Sequence, residues 1–537
     1  MCRELLENMI ATLKATGCKS LVVGAVDEPL FEWLRSKDVA AFHVDLGRDQ
    51  EDSDPSKDLA WRGRTYKKLM KAKVHSILAI TRLGYSVMWT DSDVAWLRNP
   101  IPMFAKYPEY DFLGSTDHFY GTAGDGELEQ APSFSQWPNT GIALYRPTAE
   151  PVLLAWLACV AVGDQSDQPC LTDLLATERK SAGDANGTMA LAYYDSVTMG
   201  TLPVNYFVGG QMWLERAPQR AGASNFYARH STWQRCPEAK MHRLREDGFW
   251  LLDGPGWYDH PVGYISYEPR FSQELLDAVA THVDNQTAEW LEDRKRRFGD
   301  TYRDARIEDR MPHLNLVNDQ LRQLRSQIVL AAELGNAAVI LPQFMCGQDK
   351  YTFELDGRIP GSKLPLPYFC PSDMIIQMQT MHKENPNGFR EHSFLWRPEA
   401  AAINATRLDV YICQEDDVSG ECRTGDESVP LEDLQILKIK PRRSLAQLRT
   451  LFSQAWQKHK LIHFVGDMAE LMVLAPEEVT THSKGLQKYM NGVCCVKEEP
   501  NSIKYDLFWD VPGHLTFNDR VVNDTWKPVV EGYWGCD

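Results

Sequence analysis

The sequence predicts a layered α/β fold in two successive domains. Three observations carry this. Strand-like and helical stretches alternate from residue 3 to residue 163. A highly charged stretch at 271–312 interrupts the alternation, and a second strand–helix pattern follows it.

Residues 3–16 have the apolar spacing of an amphipathic helix, and "SLVVGAVD" (20–27) reads as a buried strand. "PLFEWLRSKD" (29–38) follows as a helix and "VAAFHVD" (39–45) as a second strand, before a polar, acidic loop at 46–60. "TYKKLMKAKVHSILAITRLG" (65–84) predicts a long helix with a basic face, stopped by Gly84. "YSVMWT" (85–90), "YDFLGSTD" (110–117) and "NTGIALYRP" (139–147) predict strands of a mostly parallel sheet. Residues 119–138 read as a surface loop and 151–163 as an apolar helix. The stretch 253–269 is turn-rich, and 271–312 reads as a charged helical linker. Beyond it, 315–336 and 444–459 predict helices, and 337–343 and 460–467 predict buried strands. The expected division is therefore 1–270, 271–312 as linker, and 313–537 as a smaller α/β domain.

The net charge of −17 excludes a general nucleic-acid binder, because a phosphate backbone needs a basic surface. Of the twelve cysteines none form a Cys-x-x-Cys pair, so zinc-ribbon and thioredoxin-like chemistry lack their spacing. Cys413 with Cys422 and Cys346 with Cys370 are candidate disulfides, with buried thiols as the alternative. Asn186, Asn285, Asn404 and Asn523 each open an Asn-x-Thr sequon. Cysteines and sequons together point to the secretory pathway. No apolar run reaches membrane-spanning length, and the first residues carry acids where a signal peptide has its apolar stretch.

The chemistry concentrates at "YSVMWTDSDVAWLRNP" (85–100). Asp91 and Asp93 lie two apart at the end of an apolar strand, so alternation points them to one side. An Asp-x-Asp pair is common and often only caps a strand. Here apolar residues flank it on both sides, where an unpaired carboxylate is costly. Two such carboxylates are hard ligands for Mg²⁺ or Mn²⁺, and the ion would let an acidic protein take an anionic diphosphate. His230 is a candidate third ligand. Lys240, Arg243 and Arg245, in "KMHRLRE", are candidates for the diphosphate itself.

These segments resemble the plant and algal nucleotide-diphospho-sugar transferases (glycosyltransferase family seventy-seven), in their extensin arabinosyltransferase branch. "GYSVMWTDSDVAWLRNP" is similar to their Asp-x-Asp segment, and "RHSTWQRCPEAKMHRLRE…DGPGWYD" to their histidine and basic segment. "PNTGIALYRPT" and "SDQPCLTDLL" resemble the family's Asn-x-Gly strand and Asp-Gln helix. "QLRSQIVLAAELGNAAVILPQFMCGQDK…GRIPGSKLPLPYFCPSD" resembles the C-terminal extension of one member type, which adds arabinofuranose to arabinosides on hydroxyproline-rich wall glycoproteins.

The resemblance implies a GT-A type transferase domain followed by the smaller α/β domain, and a UDP-sugar donor. It also implies retention of anomeric configuration, Mn²⁺ or Mg²⁺ as cofactor, and a Golgi-lumen location. It assigns Asp91, Asp93 and His230 to the metal, and Lys240, Arg243 and Arg245 to the diphosphate. Asp117 and Asn139 would line the sugar pocket, with Asp167 and Gln168 near the anomeric carbon. The leaving phosphate could take the acceptor proton while Gln168 steadies an oxocarbenium-like centre, or Asp167 could be a nucleophile in a double displacement. Family domains open with a strand that contacts uridine, whereas this chain begins at the helix after it. Membrane attachment is expected only through an anchor that this sequence does not contain. The acceptor would be a hydroxyproline-rich glycoprotein, held by the C-terminal domain unless that domain is purely structural. Competing readings are a pectin xylosyltransferase of the same family, a silent luminal glycan-binding protein, and a Mg²⁺-dependent phosphohydrolase with Asp91 as nucleophile. The phosphohydrolase ranks lowest, for want of its accompanying acidic and lysine motifs.

Overall fold

The amphipathic and apolar stretches at the start of the chain fold into helix α1 (Arg3–Ala15), strand β1 (Val22–Ala25), helix α2 (Glu28–Ser36) and strand β2 (Ala40–His43). Asp27 caps α2, its carboxylate accepting the Leu30 N–H at 2.8 Å. The structure, a computed structural model, describes residues 3–46, 64–119, 121, 123–131, 138–162, 165–215, 225–234, 236–298, 310–349, 358, 362–416, 422–423, 434–452, 454–494 and 502–511. The expected loop at 46–60 lies almost wholly outside the described residues, as does the sequon at Asn523. Among the described residues no helix is long and apolar enough to cross a membrane.

The chain forms two compact units, Met1–Gln234 and Arg235–Asp537. In the first, helix α3 (Arg64–Arg82) leads into β3 (Val87–Thr90) and β4 (Val94–Trp96), then helix α4 (Ile101–Ala105). Next come β5 (Phe112–Thr116), β6 (Pro138–Tyr145), α5 (Glu150–Val162) and α6 (Asp167–Ala176). They are followed by β7 (Lys180–Ser181), β8 (Ala190–Ala192), β9 (Val197–Thr201), β10 (Phe207–Gly209), α7 (Gly210–Glu215) and β11 (Ala228–His230).

A six-stranded sheet in the order β3-β6-β5-β9-β8-β7 is the centre of this unit. Strand alternation sorts its side chains to two faces. Phe112, Ala143 and Tyr145 pack with Val74, Ile77, Val152, Trp156, Leu171 and Leu175 of α3, α5 and α6. Leu113, Ile142 and Leu144 pack on the other face with Met9, Ile10, Leu13 and Leu34. The sheet is mixed rather than mostly parallel, which corrects the sequence expectation. β6 runs antiparallel to both of its neighbours, β3 and β5, and only the β5–β9 pair is parallel. Helix periodicity signals layering, but it does not fix the direction in which a chain re-enters a sheet.

The second unit begins with helix α8 (Pro237–Glu246) and β12 (Tyr264–Tyr267). Two charged helices, α9 (Gln273–Asp284) and α10 (Ala288–Phe298), occupy much of the expected linker. α11 (Met311–Glu333) leads to β13 (Ala338–Ile340), β14 (Phe344–Cys346), β15 (Tyr368–Cys370), α12 (Met378–Glu384), β16 (Phe389–Arg390) and α13 (Ala401–Ala405). β17 (Arg407–Ile412), β18 (Ile436–Ile439), α14 (Leu445–Phe452) and β19 (Leu461–Val465) complete the main sheet, ordered β16-β13-β12-β19-β17-β18. All its pairs are parallel. Residues 235–270 therefore sit in the second unit, not the first. The cause is β12: it is buried throughout and pairs with β13 and β19, so its backbone hydrogen bonds are satisfied in the second sheet.

Candidate active site

Asp91 and Asp93 lie in the turn that joins β3 to β4, not within a strand. Their convergence therefore comes from turn geometry and not from strand alternation. The Asp91 N–H donates to the Gly141 carbonyl at 2.8 Å, which ties the turn to β6. β4 then pairs antiparallel with β11, placing Val94 opposite His230, and the Ser231 N–H donates to the Asp93 carbonyl at 3.1 Å. Sheet pairing thus carries His230 across more than a hundred residues of sequence to the acid turn.

His230 Nε2 lies 3.3 Å from Asp93 Oδ1 and 3.9 Å from Asp91 Oδ2. One ligand atom from each of these residues falls within 4.8 Å of the others. A Cβ built on Gly141 would lie 2.2 Å from His230 Cε1 and 2.8 Å from Asp91 Oδ2. Only glycine leaves the two ligands room there. Two carboxylates and an imidazole converging in this way could hold a metal ion.

Beside this cluster the sheet is irregular. The β5–β6 register jumps from Gly114↔Ala143 to Ser115↔Asn139, so β6 bulges at 140–142. The bulge re-aims Asn139 and Thr140. Asn139 Nδ2 donates to Asp117 Oδ1 at 2.9 Å, and Gln168 Nε2 donates to Asp117 Oδ2 at 2.8 Å. Burial pushes the Asp117 carboxyl up, against the pull of those two donors.

Asp167, the first residue of α6, is buried. Its Oδ2 accepts from Thr140 Oγ1 at 2.8 Å and from Lys73 Nζ at 3.1 Å. Burial works to raise this carboxyl, but Lys73 and Thr140 outweigh it and hold it below the usual carboxylate range. The Trp156 indole N–H donates to the Asp167 carbonyl at 2.8 Å. Among the predicted residues, Asp91, Asp93 and His230 thus form one cluster, and Asp117, Asn139, Gln168 and Asp167 form an adjoining network through Thr140.

The predicted basic residues behave differently. Arg243 donates from Nε and Nη2 to the Asp373 carboxylate at 2.6 and 3.2 Å, with both partners fully buried. Arg245 is bidentate to Asp253, and its guanidinium lies 4.2 Å from the Trp257 ring centre. Both guanidinium groups are committed to carboxylates inside the second unit. Lys240 is half-buried on the same helix, α8.

Sequence reasoning missed Lys73, Trp89, Thr140 and Gly141. The signal for Lys73 was present: Ser76 and Ile77, three and four residues on, share its helix stripe and are buried. Only its basic neighbours made it look like part of a solvated face. The disulfides expected at Cys346–Cys370 and Cys413–Cys422 form, and a third, Cys159–Cys170, joins α5 to α6.

A mixed α/β unit with an acid turn and a sheet-borne histidine is consistent with a sugar-nucleotide transferase domain. Residues 16–244 match the family model of nucleotide-diphospho-sugar transferases. The chain is 28% identical over 525 residues to Arabinosyltransferase XEG113 of Arabidopsis thaliana, covering 95% of this chain and 73% of that protein. That alignment is too long to lie in the first unit alone. It is 21% identical over 258 residues to Beta-arabinofuranosyltransferase RAY1 of the same plant, covering 47% of this chain and 46% of the relative. Arabinosyltransferase RRA2 is 24% identical over 158 residues, covering 27% of this chain and 35% of that protein. The chain is a glycosyltransferase. Its likeness is to the nucleotide-diphospho-sugar transferases over residues 16–244, and over most of its length to an arabinosyltransferase.

Proposed function

We infer that the chain transfers an L-arabinofuranosyl group, with retention, from a UDP-sugar to arabinosylated hydroxyproline-rich glycoprotein. The observation that carries this reading is the approach of Asp91, Asp93 and His230 within 4.8 Å, beside the Asp117–Asn139–Gln168 network. The sugar class and acceptor rest on the names of the relatives and on the resemblance of the segments. The disulfides support a luminal, oxidising location, for which the Golgi is our assignment.

Asp91, Asp93 and His230 would hold Mn²⁺ or Mg²⁺. The bound ion supplies charge neutralisation to a departing diphosphate. Asp117 accepts hydrogen bonds at both oxygens, so it presents a fixed acceptor surface to sugar hydroxyls, while Asn139 and Gln168 are held in place by it. Gln168 stays oriented to stabilise positive charge at the anomeric carbon. The acceptor hydroxyl attacks from the face on which UDP departs, and its proton goes to the leaving phosphate oxygen. The burial of Asp167, with Oδ2 committed to Lys73 and Thr140, supports this route over a double displacement through that carboxylate. Lys240 is assigned to the diphosphate on resemblance alone. Arg243 and Arg245 take structural roles in this reading.

The test is thermal stability with UDP, with Mn²⁺ and with both. A ligand bound only by the fold raises stability with the logarithm of its concentration over Kd. The expected outcome is a shift that needs both ligands and disappears in Asp91→Ala/Asp93→Ala. Turnover of UDP-arabinofuranose against UDP-xylose then separates this reading from the xylosyltransferase. No shift with either ligand in the wild-type chain would sink it in favour of a silent binding protein.

A further inference from the structure

Lys73 is the one cation, among the described residues, placed between the two acidic groups of the site. Its side chain is 3% exposed. Nζ donates to the Thr140 carbonyl at 2.9 Å and to Asp167 Oδ2 at 3.1 Å, and it lies 3.6 Å from Asp91 Oδ1. Two of its three N–H donors are used by Thr140 and Asp167, and the approach to Asp91 is an ion pair just beyond hydrogen-bond distance. The same Asp91 oxygen accepts the Trp89 indole N–H at 2.8 Å, and Nζ sits 5.2 Å from the Trp89 ring centre. Oδ1 of Asp91 is thus held from behind by Trp89 and Lys73. Oδ2 is left facing His230.

We propose that Lys73 is a positioning residue that couples the metal ligand Asp91 to Asp167. The proposal rests on the metal-site reading above and deepens it. Lys73 divides its charge between two carboxylates on different elements: Asp91 after β3 and Asp167 at the start of α6. While Asp167 holds Nζ at hydrogen-bond distance, Lys73 only restrains Asp91 and leaves it one oxygen for a cation. If Asp167 loses its charge, Nζ moves fully onto Asp91 and competes with the cation for it. Neither Lys73 nor Asp167 needs to touch the metal for this to operate. The coupling would make metal affinity depend on a carboxylate that is not a ligand.

The experiment is a double-mutant cycle read as Mn²⁺ binding to the full chain without donor, by titration calorimetry or the electron-spin signal of free Mn²⁺. Wild type should bind Mn²⁺, and Asp91→Asn should abolish binding. Asp167→Asn should weaken Mn²⁺ binding about 10-fold in the wild-type background and less than about 2-fold in Lys73→Met. An equal effect in both backgrounds, or none in wild type, overturns the coupling while leaving the metal site intact. Failure of the wild type to bind Mn²⁺, or unchanged binding by Asp91→Asn, overturns the metal reading and the coupling with it. Should Lys73→Met not fold, Trp89→Phe replaces it. That change deletes the hydrogen bond to Oδ1 and leaves it the ion pair with Lys73. The Asp167→Asn effect must then exceed its wild-type size, and an equal or smaller effect overturns the proposal.

Discussion

At the scale of single residues, the site depends on a side chain that is missing. Gly141 faces His230 and Asp91 at distances that no Cβ tolerates. Its own N–H donates to Asn139 Oδ1 at 2.8 Å, and its carbonyl accepts the Asp91 N–H, so its backbone is fixed from both sides. Gly141→Ala must therefore displace the ligands and not itself. We expect Mn²⁺ affinity to fall by more than about 10-fold, the range seen when ligand orientation is lost. The melting temperature without metal should change little, because the displaced groups lie at the edge of the core. Calorimetric titration of Mn²⁺ checks this, and a wild-type affinity would show that the open space at Gly141 serves no ion.

At the scale of elements, positions are set by three links between elements. The β4–β11 pair brings His230 to the acid turn, and the β6 bulge aims Asn139 and Thr140. The third is covalent: Cys159 of α5 is bonded to Cys170 of α6, three residues after Asp167. A cross-link over a short loop stabilises chiefly by restricting the unfolded chain. Cys159→Ser/Cys170→Ser should cost the first unit about 2–4 kcal/mol, measured by chemical denaturation. Turnover should fall beyond what that loss explains, because the first turn of α6 carries both Asp167 and Gln168. Full activity in a destabilised double mutant would confine the bond to stability. Trp156 anchors the same turn from α5 through its hydrogen bond to the Asp167 carbonyl.

For the molecule as a whole, the response to acid is carried largely by histidines of the second unit. That unit holds histidines that desolvation keeps neutral, His313 buried and His382 and His463 half-buried. Burial, with Arg310 adding to it, pushes His313 down to about 3. Burial, with His242 and two arginines adding, pushes His382 down to about 3. Burial, with Arg407 adding, pushes His463 down to about 4. His313 accepts the Gly347 N–H at Nδ1 (3.0 Å) and pairs with the Tyr505 hydroxyl at Nε2 (2.7 Å). In the unfolded chain such imidazoles titrate near about 6.5. Between that value and the folded values the unfolded chain carries protons that the fold refuses, so stability is complete above about pH 6.5 and falls as pH drops. Each group contributes up to about 1.4 kcal/mol per pH unit. Urea denaturation at about pH 7 and about pH 5 should show a marked loss in the second unit, and His313→Gln should reduce its slope. A midpoint unchanged across that range would contradict the buried neutral state.

The sequence alone determined the long helices and the main strands of the first unit, since these follow from apolar spacing that is local to each segment. It also determined the acid pair, its histidine and two disulfides, because residue type and motif order carry those. Sheet direction, the division into units and the carboxylate partners of Arg243 and Arg245 were decided only by the tertiary structure. β12 read as turn-rich because its burial comes from strands more than seventy residues away at β13 and nearly two hundred away at β19. Arg243 read as a diphosphate ligand because Asp373, which neutralises it, lies 130 residues downstream. Lys73 looked like surface for the same reason: the acids that make a buried ammonium affordable, Asp91 and Asp167, reach it only when β3 and α6 pack beside α3. Periodicity records what a residue's own element does with it, whereas the partner of a buried charge is fixed by folding.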